Sequence, residues 1–160
     1  MPAPADRRPR SRARVLRVAA VGAAAVAVLA GCQKPAPGVT VWSGTTSQHV
    51  EAVCWTADTA TPAVGACTDA IVQEALKGDR APAVPVLADT TVGISVDPVV
   101  AENGWYPAIG TSKLSETPIK DTYYRFTFPS GQTIPAGGFP LEIVAIGPNN
   151  VPRGVWLFRL

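Results

Sequence analysis

Val92-Gly93-Ile94-Ser95-Val96 is the stretch that decides the fold, because large apolar side chains alternate strictly with small or polar ones. A period of two residues places alternate side chains on opposite faces of a β-strand. The run stops at Asp97-Pro98, a pair typical of turns. The stretch therefore predicts a β-strand with one buried face.

Similar signals recur on both sides of this strand, in stretches that alternate in polarity or are rich in β-branched and aromatic residues. They are Val39 to Trp42, His49 to Trp55, Gly104 to Tyr106, Tyr124 to Phe128, Leu141 to Ala145 and Val155 to Leu160. Short strands separated by turn residues predict a mainly β chain folded as an immunoglobulin-like antiparallel β-sandwich. We expect the apolar last strand to be paired inside a sheet.

One short helix is expected over Thr68 to Lys77. Thr68 or Asp69 provides a cap, apolar residues share one face, and Gly78 ends the pattern. Thirteen of the 16 prolines are spread from Pro35 to Pro152. Because proline inside a helix costs about 3 kcal/mol, long helices are not expected.

Cys54 and Cys67 are the two cysteines after Cys32. An even number of cysteines in an exported domain indicates a disulfide, here between a strand and the start of the helix. The alternative is a redox or metal-binding pair. The spacing is far from Cys-x-x-Cys, and the single histidine leaves a metal site short of ligands.

The N-terminus has the pattern of a secretory signal. Six arginines precede an uncharged run of 13 residues from Val18 to Ala30. This run is shorter than the roughly 20 residues that span a bilayer, although an uncleaved N-terminal anchor is the alternative. Arg7-Arg8 leaves twin-arginine export open beside general secretion.

Leu29-Ala30-Gly31-Cys32 resembles the lipobox of bacterial lipoproteins. The resemblance implies that Cys32 carries the lipid and becomes the first residue, so that the chain is held on the outer side of the cell membrane. We therefore expect a lipoprotein signal peptide at 1–31, a Pro/Gly-rich tether at 32–38 and one β-rich domain at 39–160. The membrane is a partner through the lipid anchor, since two or more acyl chains attach a protein durably.

The charge of the expected mature chain argues against nucleic acid as a partner. Residues 32–160 contain 8 basic and 11 acidic residues, so the overall +2 arises from the signal. Nucleic-acid binding depends on lysine and arginine neutralising phosphates, and these acids and bases are not clustered.

No catalytic, metal or cofactor motif is recognisable. His49, with Ser47 two residues before it, would need an acid to form a triad, and no Gly-x-Ser-x-Gly motif is present. Asp97 and Glu102 flank a loop without an Asp-rich calcium pattern. We therefore predict no enzyme, no metal site and no cofactor, with a hydrolase of unrecognised site as an alternative.

Four residues are the candidate contacts for a ligand or partner: Trp105, Tyr106, Gly137 and Phe139. Aromatic side chains near loops can anchor contacts, although core or edge packing is the more common role of such residues. The leading hypothesis is a non-enzymatic binding or scaffold module that contacts another cell-envelope component, with an envelope protein as the expected partner. The alternative is a small-molecule or glycan-binding lipoprotein.

Several short motifs, together with the cysteine pair and the lipobox, resemble a family of small actinobacterial lipoproteins of unknown function. The motifs are Ser95 to Pro98, Asn103 to Trp105, Tyr124 to Phe128 and Gly154 to Phe158. The resemblance spans most of residues 32–160. It implies no activity, and Cys32 is the one functional residue that it carries over.

Overall fold

The computed structural model describes residues 35–57, 67–78 and 80–160. The predicted signal peptide, Cys32 and the first residues of the tether lie outside the described residues. No helix in the described part of the chain is long and apolar enough to cross a membrane.

The described residues form nine strands and two α-helices. The strands are β1 (Gly38–Ser43), β2 (Thr46–Glu51), β3 (Cys54–Trp55), β4 (Thr91–Val96), β5 (Trp105–Ile109), β6 (Ser112–Lys113), β7 (Tyr123–Thr127), β8 (Pro140–Ile146) and β9 (Pro152–Arg159). The helices are α1 (Asp69–Lys77) and the single turn α2 (Pro98–Ala101), and a 3₁₀ turn covers Pro148–Asn150. The predicted short helix and the predicted strands are present with ends shifted by at most three residues, except that the strand predicted from His49 to Trp55 is divided into β2 and β3. The two-residue strand β6 was not predicted.

Two antiparallel sheets make up the sandwich, and the predicted mainly β fold class is confirmed. Sheet A has the strand order β2-β1-β4-β7, and sheet B has the order β3-β9-β8-β5-β6. β9 pairs with β3 on one side and β8 on the other, so the last predicted strand is internal, as expected.

The core lies between the sheets and follows the alternation that the sequence shows. Val92, Ile94 and Val96 of β4 are buried, and so are Trp156 and Phe158 of β9. The intervening Ser95 is exposed. Apolar burial of this kind stabilises a fold by about 25 cal/mol per Å² removed from water, and one strand register brings all these side chains inward.

Helix α1 covers the outer side of sheet B. Val155 and Leu157 of β9 point away from the sandwich core and pack with Val72 and Ala75 of α1. Arg159 donates a hydrogen bond to the carbonyl oxygen of Leu76 at 2.5 Å, in the last turn of the helix. β9 is therefore covered on both faces, which explains why its sequence is a continuous apolar run.

The prediction of one strand from His49 to Trp55 is wrong in one respect. The chain leaves sheet A after Glu51 and enters sheet B at Cys54. The break follows from a change of partner, because the amide of Val53 already donates to the carbonyl oxygen of Val155, at 2.8 Å. The segment thus crosses from one sheet to the other.

The predicted disulfide is confirmed. Cys54 and Cys67 are bonded, with their Cα atoms 5.4 Å apart. The bond links β3 to the residue just before the N-cap of α1, and so holds the helix against the edge of sheet B. It does not join the two sheets, in contrast to the bridge of antibody domains.

Candidate functional site

Trp105 is a core residue, which corrects its prediction as a contact residue. Its side chain is fully buried, and its indole Nε1 donates to the carbonyl oxygen of Asp121 at 2.8 Å. Tyr106 follows it on β5 and points to the outer face of sheet B. Successive strand residues face opposite sides, so the two aromatic residues do not form one surface.

The other predicted contacts also lie apart. The ammonium group of Lys113 is 4.2 Å from the centre of the Tyr106 ring, on the outer face of sheet B. Gly137 is exposed in the loop between β7 and β8, and a Cβ atom there would meet nothing within 4 Å. Phe139 is half-buried, with its ring centre 6.1 Å from that of Phe128. Of these residues, Phe139 alone borders the cavity described next.

An apolar cavity of about 590 Å³ opens along one edge of the sandwich, and we call it the seam groove. Its walls are six buried or half-buried residues: Ile109, Leu114, Tyr124, Phe126, Phe128 and Phe139. Its rim is six exposed residues: Gly110, Thr111, Ser112, Thr127, Pro129 and Gln132. All twelve are uncharged, so the groove suits an apolar, uncharged group.

The seam groove exists because the two sheets differ in strand number. Tyr124 of β7 packs edge-to-face on Trp105 of β5, with ring centres 6.3 Å apart, so β7 lies opposite β5. β7 is the last strand of sheet A, whereas sheet B continues to β6. Within the described residues, no strand of sheet A lies opposite β6, and the groove occupies that position.

Tyr124 also closes one end of the seam groove. Its hydroxyl donates to the carbonyl oxygen of Leu114 at 2.9 Å, which ties β7 to the chain just after β6. Its ring is 6.4 Å from that of Phe126, and the planes are inclined by 26°. The groove is thus bounded by stacked aromatic rings with fixed positions.

Charged groups lie outside the seam groove. Arg125 alternates with Tyr124 and Phe126 on β7, so its exposed side chain is on the outer face of sheet A. Glu142 on β8 is half-buried on the outer face of sheet B, and burial, with a smaller contribution from the negative charge of Asp69, raises its pKa above the ordinary value. Neither residue contributes charge to the groove lining.

His49 lies on the outer face of sheet A. Its Nδ1 is 2.9 Å from the hydroxyl oxygen of Thr40, and its ring covers the α-carbon of Gly38. Among the hydrogen bonds of the described residues, none joins His49 to a serine or a carboxylate.

Asp97 and Glu102, the two acids considered for calcium, serve different partners. Asp97 accepts a hydrogen bond from the amide of Gly38 at 2.8 Å, whereas Glu102 pairs with the buried Arg153 at 3.4 Å. In the described ranges, no group of three or more His, Cys, Asp or Glu side chains is placed to hold a metal ion.

The seam groove was not predicted from the sequence, although the strand that forms one of its walls was. The alternation of Tyr124, Phe126 and Phe128 predicts a buried strand face, and these rings do face inward. That they border a cavity depends on the strand order of both sheets, which local alternation does not determine.

Comparisons with known proteins add no relative. No family model, no curated protein and no solved structure matches this chain.

Proposed function

We propose that this chain is a lipid-anchored, extracytoplasmic binding module that contacts another cell-envelope protein through the seam groove, without catalysis. The observation that supports it best is the groove itself, a cavity with uncharged walls and four aromatic rings. Aromatic side chains in such positions are the usual anchors of binding sites. The anchor rests on the lipobox resemblance at Leu29 to Cys32.

The position of the groove suits a tethered domain. Gly38, where the chain enters β1, lies beside Asp97, whereas Ser43 at the other end of β1 lies beside Val92. Thr127, at the end of β7, pairs with Thr91 at this same second end. The part of the groove lined by Phe126 and Phe128 therefore lies toward the end of sheet A that is farther from the point where the tether joins the domain.

A small apolar molecule is the second candidate ligand. A cavity of about 590 Å³ is within the range of roughly 300–1,000 Å³ that is typical of small-molecule sites, and its walls are mostly apolar. An apolar compound that co-purifies with the protein and is identified by mass spectrometry would favour this candidate.

The test is photo-crosslinking in the native membrane. A photoreactive amino acid replaces Ser112 on the groove rim, and a control replaces Gln73, which is exposed on α1. We expect one envelope protein to be crosslinked from position 112 and not from position 73. We expect its yield to fall in the Cys32→Ser variant. Equal crosslinking from both positions, or none from position 112, would overturn the proposed protein-binding role.

A further inference from the structure

β7 has an unpaired edge beside the seam groove. In an antiparallel pair, the main-chain groups of alternate residues point toward the partner strand, and those of the residues between point away. The main-chain N–H of Phe128 donates to the carbonyl oxygen of Thr90, at 2.9 Å. The carbonyl oxygen of Thr122 accepts from the main-chain N–H of Val96, also at 2.9 Å. Residues 122, 124, 126 and 128 therefore face β4.

The main-chain groups of Tyr123, Arg125 and Thr127 consequently point outward from sheet A. In the part of the chain that the structure describes, none of these N–H or C=O groups has a hydrogen-bond partner. They form a regular row of donors and acceptors along the border of the groove.

This edge also lacks the usual protection against strand addition. Proteins commonly block an edge with a proline, a bulge or several lysines. β7 has the sequence Tyr-Tyr-Arg-Phe-Thr, and its register with β4 is continuous from Tyr123 to Thr127. Arg125 is its single charged residue.

We propose that an extended segment of the partner protein adds to sheet A as a fifth strand, paired with β7 and lying opposite β6. This inference rests on the proposed function and specifies how the partner binds. Adding a strand satisfies the outward main-chain groups of β7, while alternate side chains of the segment enter the seam groove. The structure thus assigns two recognition elements, one for the backbone and one for apolar side chains.

The chemistry of the segment follows from the two faces of β7. Side chains of the added strand that lie beside Tyr124 and Phe126 point into the groove and must be apolar. The residue opposite Arg125 points to the outer face of sheet A, where an acidic side chain is favoured, since opposite charges on paired strands attract. The segment therefore has an acidic residue between apolar ones.

A second copy of this chain fits the edge less well. Antiparallel pairing of β7 with itself along its whole length sets Tyr123 opposite Thr127 and Arg125 opposite Arg125. Like charges directly opposite each other destabilise paired strands. Charge therefore favours a different protein with an acidic residue at the centre of its segment.

The test uses a short, end-blocked peptide in which valine alternates with threonine and one central glutamate. The full chain is held in lipid nanodiscs, and amide hydrogen exchange is measured residue by residue with and without the peptide. We expect exchange to slow by about ten-fold or more at Tyr123, Arg125 and Thr127. Tyr124 and Phe126, already bonded to β4, should change little.

Two controls separate strand pairing from simple filling of the groove. Methylating the peptide nitrogens of glutamate and threonine removes the donors that face β7, and should abolish the effect. In the protein, Arg125→Pro removes an outward N–H without affecting the bonds to β4, whereas Arg125→Ala keeps that N–H. We expect loss of binding for Arg125→Pro and weaker binding with the same alternating pattern for Arg125→Ala.

Three outcomes would overturn this inference. One is unchanged exchange at the three outward amides, and another is equal binding of the methylated peptide. The third is slowed exchange that appears without peptide as protein concentration rises, which would assign the edge to a second copy. An envelope protein crosslinked from position 112 in the native membrane would still support the proposed function in each case. Failure of this inference is therefore distinguishable from failure of the proposed function.

Discussion

The hydroxyl of Tyr124 donates to the carbonyl oxygen of Leu114 at 2.9 Å, and this bond ties β7 of sheet A to the chain just after β6 of sheet B, beside the seam groove. Tyr124→Phe keeps the ring and removes the bond. We expect the free energy of unfolding, measured by urea denaturation, to fall by about 1 kcal/mol. Tyr123→Phe is the control, because Tyr123 is exposed on the same strand. Equal effects of the two substitutions would contradict the role of the bond.

The indole of Trp42 lies over Gly93, its partner across the β1–β4 pair. A Cβ atom at residue 93 would overlap three ring atoms of Trp42. We expect Gly93→Ala to displace the indole and to destabilise the fold by about 1–3 kcal/mol, as overpacking does. Urea denaturation and tryptophan fluorescence would measure both effects. Ser95→Ala, at an exposed position of the same strand, should be nearly neutral.

The Cys54–Cys67 disulfide closes a loop with a sequence separation of 13 residues. Replacing both cysteines with serine removes a constraint on the unfolded chain, so we expect a loss of about 3 kcal/mol. Thermal unfolding with and without a reductant would measure it. The wild-type protein should lose stability in reductant, whereas the double variant should not respond. A reductant effect on the double variant would show that the loss has another cause.

The raised pKa of Glu142 predicts how stability depends on pH. The carboxyl group of Glu142 binds its proton more tightly in the native state than in the unfolded state. Its contribution to stability is therefore lost as the pH rises above 4.5, the ordinary pKa of a glutamate, through the raised native pKa. Glu142→Gln removes the buried charge. We expect it to unfold at a higher temperature than wild type at pH 7, with the difference shrinking toward pH 4. Glu116→Gln, at an exposed position, serves as the control.

The strands other than the two-residue β6 were predictable because each has a local signal. In β4 the alternation of Val92, Ile94 and Val96 reports a single buried face, and that face is the core. The continuous apolar run of β9 equally reports burial on both sides, although only the structure shows that α1 covers the second side.

Pairing was not predictable from the same signals. The break after Glu51 separates two segments with similar composition, and it arises because Val53 and Cys54 pair with residues about 100 positions later. Trp105 follows a turn, where an aromatic residue serves equally as a contact or as core. The seam groove depends on both strand orders at once, so no local pattern reports it.

The central place of β9 has a consequence for the order of events during synthesis. β3 pairs with no strand but β9 among the described residues, and Arg153 donates to the carbonyl oxygen of Thr56 across 97 positions. β3 therefore has no place in sheet B, and the sheet is incomplete, until the ribosome has made residues 152–159. Folds dominated by such distant contacts form slowly. A chain whose folding waits for β9 stays unfolded for longer after synthesis begins. An unfolded chain can pass through a translocation channel, which suits the export proposed for this protein.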